Sequence, residues 1–300
     1  MNLLITGAWS DAKAYFEQLS QMGHCVFFLQ NEKDDPLPLA YDDVQGVVCN
    51  GLFLHHSIDA FTNLRYIQLT SAGLDRVPMD AVRARGIRVV NAGGVYSVPM
   101  AEFALAGVLS LYKQLRAFEC SRTRQAWEKR RDLIELCEKT VLIVGCGSVG
   151  NECAKRFGAF GCTVKGVDLY PRADALYADI VGLDALDVAL AEADITVLTL
   201  PLTEQTRHLM DRTRLATMKK GSLLVNIARG AIVDSSALLW ALDEHLGGAV
   251  LDVFETEPLP ESNPLWDKKN VILTPHNSFV GEKNAERLAN LIIQNLRSES

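Results

Sequence analysis

The sequence predicts an α/β protein with two domains, each built around a parallel sheet. Its 300 residues, 48 % of them hydrophobic, exceed what a single hydrophobic core usually serves. Short β-rich segments alternate with helix-compatible segments along most of the chain, which is typical of parallel sheets covered by helices on both faces. A glycine-rich loop, GCGSVG, begins almost halfway along the chain. The second domain therefore begins a new sheet close to that loop.

Two series of predicted strands define the two sheets. The first covers residues 3–6, 25–29, 46–50, 66–70 and 87–91. The second covers residues 140–145, 162–168, 195–200, 221–228, 248–254 and 270–275. Six strands from the glycine loop onward are the full count of a doubly wound dinucleotide-binding fold. Between the series, residues 97–112 are apolar all round and predict a buried helix that joins the domains.

Composition and charge exclude several classes of partner. The formal net charge is −7, which gives no basic field for nucleic acid or anionic lipid. Seven cysteines without a C-x-x-C pair indicate neither a disulfide framework nor a metal site. The amino terminus lacks the basic segment of a signal peptide, and the most apolar stretch, 95–112, is interrupted by Pro99 and Glu102. We expect a cytoplasmic protein with no membrane partner.

The glycine loop follows an apolar strand and opens a helix, the context that makes G-x-G-x-x-G informative. Gly145 permits the tight turn, Gly147 lets the backbone approach a pyrophosphate, and Gly150 allows the helix to pack closely on the strand. The amides of Ser148 and Val149 then lie at a helix amino terminus, which favours phosphate. The loop predicts a dinucleotide site.

Asp168 indicates which dinucleotide is bound. It ends the second strand of that sheet, eighteen residues beyond Gly150. A carboxylate at this place accepts hydrogen bonds from both hydroxyls of the adenosine ribose, whereas a 2'-phosphate would meet a like charge. Arg172, four residues later, offsets part of that charge. NAD is therefore favoured over NADP.

Three ionisable side chains follow the last three strands of the second series: Arg229, Glu257 and His276. Taken singly, Arg229 fits a surface ion pair, Glu257 a solvated acid and His276 an ordinary loop histidine. The carboxyl ends of parallel strands meet at one edge of the sheet, however, so we expect the three side chains to lie close together. Reduction of a 2-oxo acid needs a carboxylate clamp that polarises the ketone, and a proton donor. Arginine suits the first need and histidine the second. A neighbouring glutamate favours the imidazolium and orients it.

The segments GCGSVG, LPLTEQTRHLM, NIARGAIVDSSAL, LDVFETEPLP and TPH, in this order around Asp168, resemble the D-isomer-specific 2-hydroxyacid dehydrogenase family. The resemblance covers nearly the whole chain. It implies a flavodoxin-like substrate lobe, residues 1–93 plus 279–300, into which a Rossmann nucleotide-binding domain, residues 94–278, is inserted. The insertion explains the late glycine loop. It further implies a homodimer that acts on a small 2-oxo or 2-hydroxy acid.

The resemblance also assigns roles to single residues. It gives Arg229 to the substrate carboxylate and carbonyl, His276 to acid–base work and Glu257 to the histidine, whereas Glu255 stands outside the pattern. Residues implied to line the cofactor, with the last beside the nicotinamide amide, are Leu200, Pro201, Thr206, Ile227, Ala228 and Asp252. Residues implied to bind substrate besides Arg229 are Asn50, Gly51, Ala72 and Gly73.

Two other functions fit the same scaffold. One is a binding protein that senses NAD(H) without catalysis, because fold does not determine function. The other is a dehydrogenase of this family for a different small acid such as formate, where no ketone needs a proton. The intact set Arg229, Glu257 and His276 speaks against the sensor, and His276 with Glu257 speaks against the formate-type enzyme. Where relatives that act on phosphorylated substrates place a cation, this chain has Asn50, which argues against a phosphorylated substrate.

Overall fold

The computed structural model describes residues 1–299, which form two compact units. The first unit comprises Met1–Tyr96 and Gly281–Ser300, and the second comprises Ser97–Val280. Each unit contains one parallel β-sheet with helices packed against it. The α/β class predicted from the sequence is confirmed. The assignment of the first unit as the substrate lobe stays a prediction.

The first unit has the five strands that the sequence predicts. They are β1 Asn2–Thr6, β2 Cys25–Leu29, β3 Gly46–Cys49, β4 Tyr66–Leu69 and β5 Arg88–Val90. Their order across the sheet is β2-β1-β3-β4-β5, all parallel, which is the flavodoxin-like order. The strand order reverses between β1 and β3, because β2 lies on one side of β1 and β3, β4 and β5 lie on the other. Ligands of doubly wound sheets bind beyond the carboxyl ends of the strands at such a point.

Short helices connect these strands. They are α1 Phe16–Gln21 and α2 Met79–Ala84, with 3-10 turns at Ala12–Tyr15, Tyr41–Asp43, Leu52–Leu54 and Ile58–Ala60. The inner strands are buried on both faces, so β3 and β4 are buried along their whole length. This explains why they read as continuous apolar runs in the sequence.

The second unit has seven strands where the sequence predicts six. They are β6 Thr140–Val144, β7 Thr163–Val167, β8 Asp179–Val181, β9 Ile195–Leu198, β10 Leu223–Asn226, β11 Gly248–Leu251 and β12 Val271–Leu273. Their order is β12-β11-β10-β9-β6-β7-β8, again all parallel. The additional strand, β8, pairs with β7 at the sheet edge. It has only three residues and begins with an exposed aspartate, so no apolar run marks it in the sequence.

Helices cover both faces of this second sheet. They are α3 Ser97–Tyr112, α4 Leu115–Thr123, α5 Ser148–Ala159, α6 Leu186–Glu192, α7 Arg212–Thr217 and α8 Ser235–Glu244, with 3-10 turns at Leu183–Ala185, Gly230–Ile232 and Pro264–Asp267. One core contains residues of α3 and α5, and the other contains residues of α6, α7 and α8. The sheet separates these two cores. Its carboxyl edge carries the loops described below.

The C-terminal helix α9, Asn284–Arg297, belongs to the first unit. Its residues Leu288, Ile292 and Leu296 are buried in one cluster with Leu3 and Ile5 of β1. Fully burying a leucine or isoleucine side chain contributes about 2 kcal/mol, so this apolar stripe holds the helix on the sheet. Across residues 1–299, no helix has both the length and the apolar character that a bilayer crossing requires.

Candidate active site

The glycine loop joins β6 to α5. Gly145 has φ +102°, a conformation that glycine adopts without strain. A Cβ on Gly150 would overlap the carbonyl oxygen of Gly145, so α5 packs against the turn at a distance only glycine allows. A Cβ on Gly147 would meet nothing within 4 Å. The Thr199 hydroxyl donates to the Gly145 carbonyl oxygen at 2.6 Å and holds the turn.

The start of α5 provides donors for an anion. The helix begins at Ser148, directly after Gly147, and both residues are exposed. The first amides of a helix have no acceptor within the helix and lie at the positive end of its dipole. With the open space beside Gly147, the amides of Ser148 and Val149 form a cradle that fits the pyrophosphate of a dinucleotide.

Asp168, directly after β7, is held by two backbone amides. Its Oδ2 accepts from the Cys146 amide at 2.7 Å, and its Oδ1 accepts from the Tyr170 amide at 2.9 Å. The first of these bonds ties the carboxylate to the glycine loop. Each carboxylate oxygen has a second lone pair, so the pinned group can still accept from ribose hydroxyls. Arg172 is exposed four residues away.

His276 and Glu257 lie on loops that follow neighbouring strands, β12 and β11. The Nδ1 of His276 is 2.8 Å from Oε2 of Glu257, while Oε1 of Glu257 accepts from the Phe254 amide at 2.9 Å. Their side chains are 41 % and 35 % exposed. Within residues 1–299, Nε2 of His276 has no hydrogen-bond partner, so it is the nitrogen available to a ligand.

Asp252, at the end of β11, anchors the loop that carries His276. Its Oδ1 accepts from the Thr274 hydroxyl and the Asn277 amide, each at 2.7 Å, and its Oδ2 accepts from the Ser278 amide at 2.9 Å. The residue is completely buried. His276 has φ +52°, an uncommon conformation for a non-glycine residue. The buried carboxylate therefore holds a strained loop, a role that the sequence analysis did not predict.

Arg229 follows β10 on a loop that is held on both sides. The buried side chain of Asn226 donates to the Arg229 carbonyl oxygen at 3.0 Å and accepts from the Ala228 amide at 3.1 Å. A Cβ on Gly230 would overlap the backbone of Phe254. The loop of Arg229 thus touches the loop that leads to Glu257. The Arg229 guanidinium donates to the Ala228 carbonyl oxygen at 2.8 Å.

Glu255 lies in the same loop as Glu257 but has different partners. Its Oε2 is 3.0 Å from Nε2 of His208, and its Oε1 accepts from the amide and the hydroxyl of Ser235. Burial opposes ionisation of Glu255, but hydrogen bonds from Ser235 and His208 outweigh it and lower the pKa of that carboxyl. The structure gives this acid a partner other than His276.

The remaining residues predicted to line the cofactor follow β9 and β10. Thr206 is completely buried, and its hydroxyl donates to the Pro201 carbonyl oxygen at 2.8 Å. It therefore shapes the 201–206 loop from inside, whereas Pro201 is exposed. The other three predicted residues are buried: Leu200, Ile227 and Ala228.

In the first unit, the two residues after β3 that are predicted to bind substrate have backbone amides that already have a partner. Asn50 and Gly51 both donate to the carboxylate of Glu32, each at 2.6 Å. The amides of Ala72 and Gly73, after β4, donate to no atom of the described residues. Glu32 lies in the charged segment NEKDD and carries no sequence motif, so sequence reasoning missed it.

Comparisons with known proteins identify the family of the chain. Residues 105–278 match the NAD-binding domain of D-isomer-specific 2-hydroxyacid dehydrogenases. (S)-sulfolactate dehydrogenase of Chromohalobacter salexigens is 38 % identical over 242 residues, 79 % of this chain and 78 % of that protein.

Two solved structures are similar over the whole chain. D-lactate dehydrogenase from Aquifex aeolicus, complexed with NAD and lactic acid, has a TM-score of 0.79 at 26 % identity and covers 99 % of this chain and 95 % of its own. A D-isomer-specific 2-hydroxyacid dehydrogenase from Xanthobacter autotrophicus Py2, in complex with NADPH and MES, has a TM-score of 0.81 at 28 % identity and covers 100 % and 95 %. The chain therefore belongs to the D-isomer-specific 2-hydroxyacid dehydrogenase family, and it is an oxidoreductase with a Rossmann NAD-binding domain.

Proposed function

We propose that the protein interconverts a small 2-oxo acid and the corresponding D-2-hydroxy acid, with NAD(H) as the hydride carrier. The observation that supports this best is the 2.8 Å contact between His276 and Glu257, because reduction of a ketone needs a positioned proton donor. Family membership supplies the reaction class. The relatives named for sulfolactate and lactate point to small acids.

His276 supplies the proton in this proposal. Glu257 occupies Nδ1, which fixes the ring and leaves Nε2 for the substrate oxygen. A bound reduced nicotinamide supplies a hydride to the carbonyl carbon. The electron pair of the carbonyl moves to oxygen, and that oxygen takes the proton from Nε2. In the oxidative direction the neutral imidazole accepts the hydroxyl proton.

Arg229 serves as the clamp for the substrate. A guanidinium binds a carboxylate through two parallel hydrogen bonds and stays charged at all working pH values. The contact with the Ala228 carbonyl oxygen uses Nη1 and helps to orient the plane of the guanidinium. The family resemblance also gives Ala72 and Gly73 of the first unit to substrate binding.

We propose NAD as the preferred cofactor. Asp168, pinned to the glycine loop by the Cys146 amide, presents a negative charge where the ribose 2'-hydroxyl would lie. A 2'-phosphate at that point would be repelled, and exposed Arg172 would compensate only in part. The family resemblance also supports a cytoplasmic homodimer. Light scattering of the purified protein tests the homodimer.

The test follows NADH absorbance with glyoxylate, pyruvate, hydroxypyruvate and bulkier 2-oxo acids. We expect His276→Ala to lose on the order of 10²-fold or more in turnover, as removal of a general acid does. We expect Arg229→Ala to raise KM strongly. His55→Ala is the matched control, because His55 is an exposed histidine of the first unit outside the proposed site.

Binding of NADH by each variant, measured by fluorescence, shows that the nucleotide site has folded. Equal activity of the wild type and both site variants would refute the proposed mechanism. A wild-type protein that binds NADH but reduces none of the acids would instead favour the sensor function.

A further inference from the structure

A carboxylate lies at the point of the first unit where the strand order reverses. Glu32 follows β2, yet its Oε1 accepts from the Thr6 hydroxyl at the end of β1, at 2.8 Å, and from the Asn50 amide beyond β3. Its Oε2 accepts from the Gly51 amide at 2.6 Å. The side chain therefore spans the carboxyl ends of three neighbouring strands. Its charge is held at the place where doubly wound sheets bind ligands.

The main chain of Glu32 is held as firmly as its side chain. Nε2 of buried His56 donates to the Glu32 carbonyl oxygen at 2.8 Å. Nδ1 of His56 is 2.8 Å from the Tyr41 hydroxyl, which also contacts Asp35 at 3.1 Å. A charge fixed from both sides cannot swing away when a ligand arrives. It acts as a permanent feature of this strand end.

The proposed substrate amides follow β4, the strand next to β3, whose following amides hold this carboxylate. β3 and β4 are adjacent, and the Thr70 amide donates to the Cys49 carbonyl oxygen at 2.9 Å, which continues the ladder to the strand ends. Ala72 and Gly73 follow Thr70 by two and three residues, and Asn50 follows Cys49 directly. Neighbouring strands lie about 4.8 Å apart. An acid bound on those amides therefore has its tail within reach of the β3 end.

The groups at the β3 end are rich in hydrogen-bond acceptors. The side-chain oxygen of Asn50 is buried and has no donor among residues 1–299. A buried acceptor without a partner costs about 1–3 kcal/mol, which a ligand donor would recover. The Cδ of Arg76 is 4.0 Å from the place of a Cβ on Gly51, and its side chain is exposed, so solvent screens its charge. A hydroxyl complements this surface, and a second anion does not.

We propose that Glu32 determines substrate choice by repelling a second negative charge, so that the protein takes 2-oxo acids with a neutral, hydroxyl-bearing tail. This rests on the proposed function. The carboxylate of Glu32 occupies the amides of Asn50 and Gly51, two donors that would otherwise bind an anionic tail. A tail with a second carboxylate, a sulfonate or a phosphate would meet this charge, and in this respect the protein is proposed to differ from its relative named for sulfolactate. Hydroxypyruvate represents the accepted class and oxaloacetate the excluded class.

The experiment compares kcat/KM for hydroxypyruvate and oxaloacetate in the wild type and in Glu32→Gln. Removal of the charge is expected to raise the ratio of kcat/KM for oxaloacetate to kcat/KM for hydroxypyruvate by about tenfold or more. This is the scale of a like-charge contact near a protein surface. Glu32→Ala, which also frees the two amides, is expected to raise it further. Asp34→Asn is the matched control, because it removes an exposed, solvent-screened charge two residues away.

Binding without turnover separates this proposal from the proposed function. Calorimetry with NADH present measures the affinities for D-glycerate and D-malate, which carry the same two kinds of tail. A preference for D-glycerate that disappears in Glu32→Gln and persists in Asp34→Asn supports the role of Glu32 even if no acid is turned over. An unchanged preference in a Glu32→Gln protein that still binds NADH overturns it, as does a wild-type preference for the anionic tail.

Discussion

Each unit of the protein contains a carboxylate that accepts hydrogen bonds from two consecutive backbone amides and one threonine hydroxyl. These acids are Glu32 in the first unit and Asp252 in the second. Their partners are Thr6, Asn50 and Gly51 in the first unit and Thr274, Asn277 and Ser278 in the second. Both carboxylates lie at the carboxyl edge of a parallel sheet. The hydrogen-bond pattern is the same.

The two acids differ in burial. Asp252 is completely buried, whereas Glu32 is partly exposed. A buried charge interacts mainly with the hydrogen-bond donors around it. Removing that charge leaves those donors without partners and destabilises the protein. A partly exposed charge also faces whatever binds at the surface. The same arrangement therefore anchors the His276 loop in one unit and can select a ligand in the other.

The largest difference between Glu32 and Asp252 is expected in stability and turnover when each acid is replaced by alanine. Asp252→Ala should lower the free energy of unfolding by about 3 kcal/mol and turnover by on the order of 100-fold, because three donors lose the buried carboxylate that accepts from them and the His276 loop is released. Glu32→Ala should cost about 1 kcal/mol, since water can replace the carboxylate. Urea unfolding combined with hydrogen exchange of each sheet measures both.

Asp252→Asn and Glu32→Gln serve as controls for shape. Each keeps one acceptor oxygen, so each should lie between the wild type and the alanine variant. Equal destabilisation by the two alanine substitutions would contradict the role assigned to burial. Retained turnover in Asp252→Ala would show that the loop keeps its conformation without the anchor.

The sequence predicts the features that have a local pattern and misses those that depend on contacts between distant residues. The glycine loop and eleven of the twelve strands have local patterns: apolar runs and a fixed glycine spacing. The bonds of Glu32 to residues 26, 18 and 19 positions away, and of Asp252 to residues 22 to 26 positions away, have none. Such contacts exist only once the strands lie side by side. The short edge strand β8 was missed because it lacks an apolar run.

A second prediction concerns the two acids of the loop after β11. Glu257→Gln should lower kcat about tenfold with little change in KM, because a neutral amide makes a weaker hydrogen bond to Nδ1 than a carboxylate and orients the proton-donating ring less firmly. Glu255→Gln should leave kcat within about twofold, since Glu255 contacts His208 and Ser235 instead. Steady-state kinetics with the best substrate measures both variants.

Glu257 and Glu255 extend the comparison of buried and exposed carboxylates to two acids of one loop. Glu257 and Glu255 are both exposed, so neither should matter for stability as much as Asp252. A larger loss of turnover in Glu255→Gln than in Glu257→Gln would show that the 2.8 Å contact with His276 does not mark the group that assists proton transfer. Comparable NADH affinity in both variants excludes a general distortion of the loop.

The smallest effects are expected from two cysteines, Cys49 at the end of β3 and Cys146 in the glycine loop after β6. Burial and the nearby charge of Glu32 raise the pKa of the Cys49 thiol, which is completely buried. Burial raises the pKa of Cys146, in the glycine loop, to about 11. The thiolate is the reactive form, so at pH 8 only about 0.1 % of Cys146 can react. The exposed cysteines Cys25, Cys120 and Cys137 should be alkylated first.

Iodoacetamide labelling followed by peptide mass spectrometry measures this order. Between pH 8 and pH 10 the rate at Cys146 should rise about tenfold per pH unit, because the pH stays below its raised pKa. Cys49 should remain unlabelled over the same range, also in Glu32→Gln, since burial is the larger cause of its shift. Rapid labelling of Cys49 would mean that the β3 end opens in solution, and a carboxylate on an opening loop would not keep the fixed position on which ligand selection by Glu32 depends.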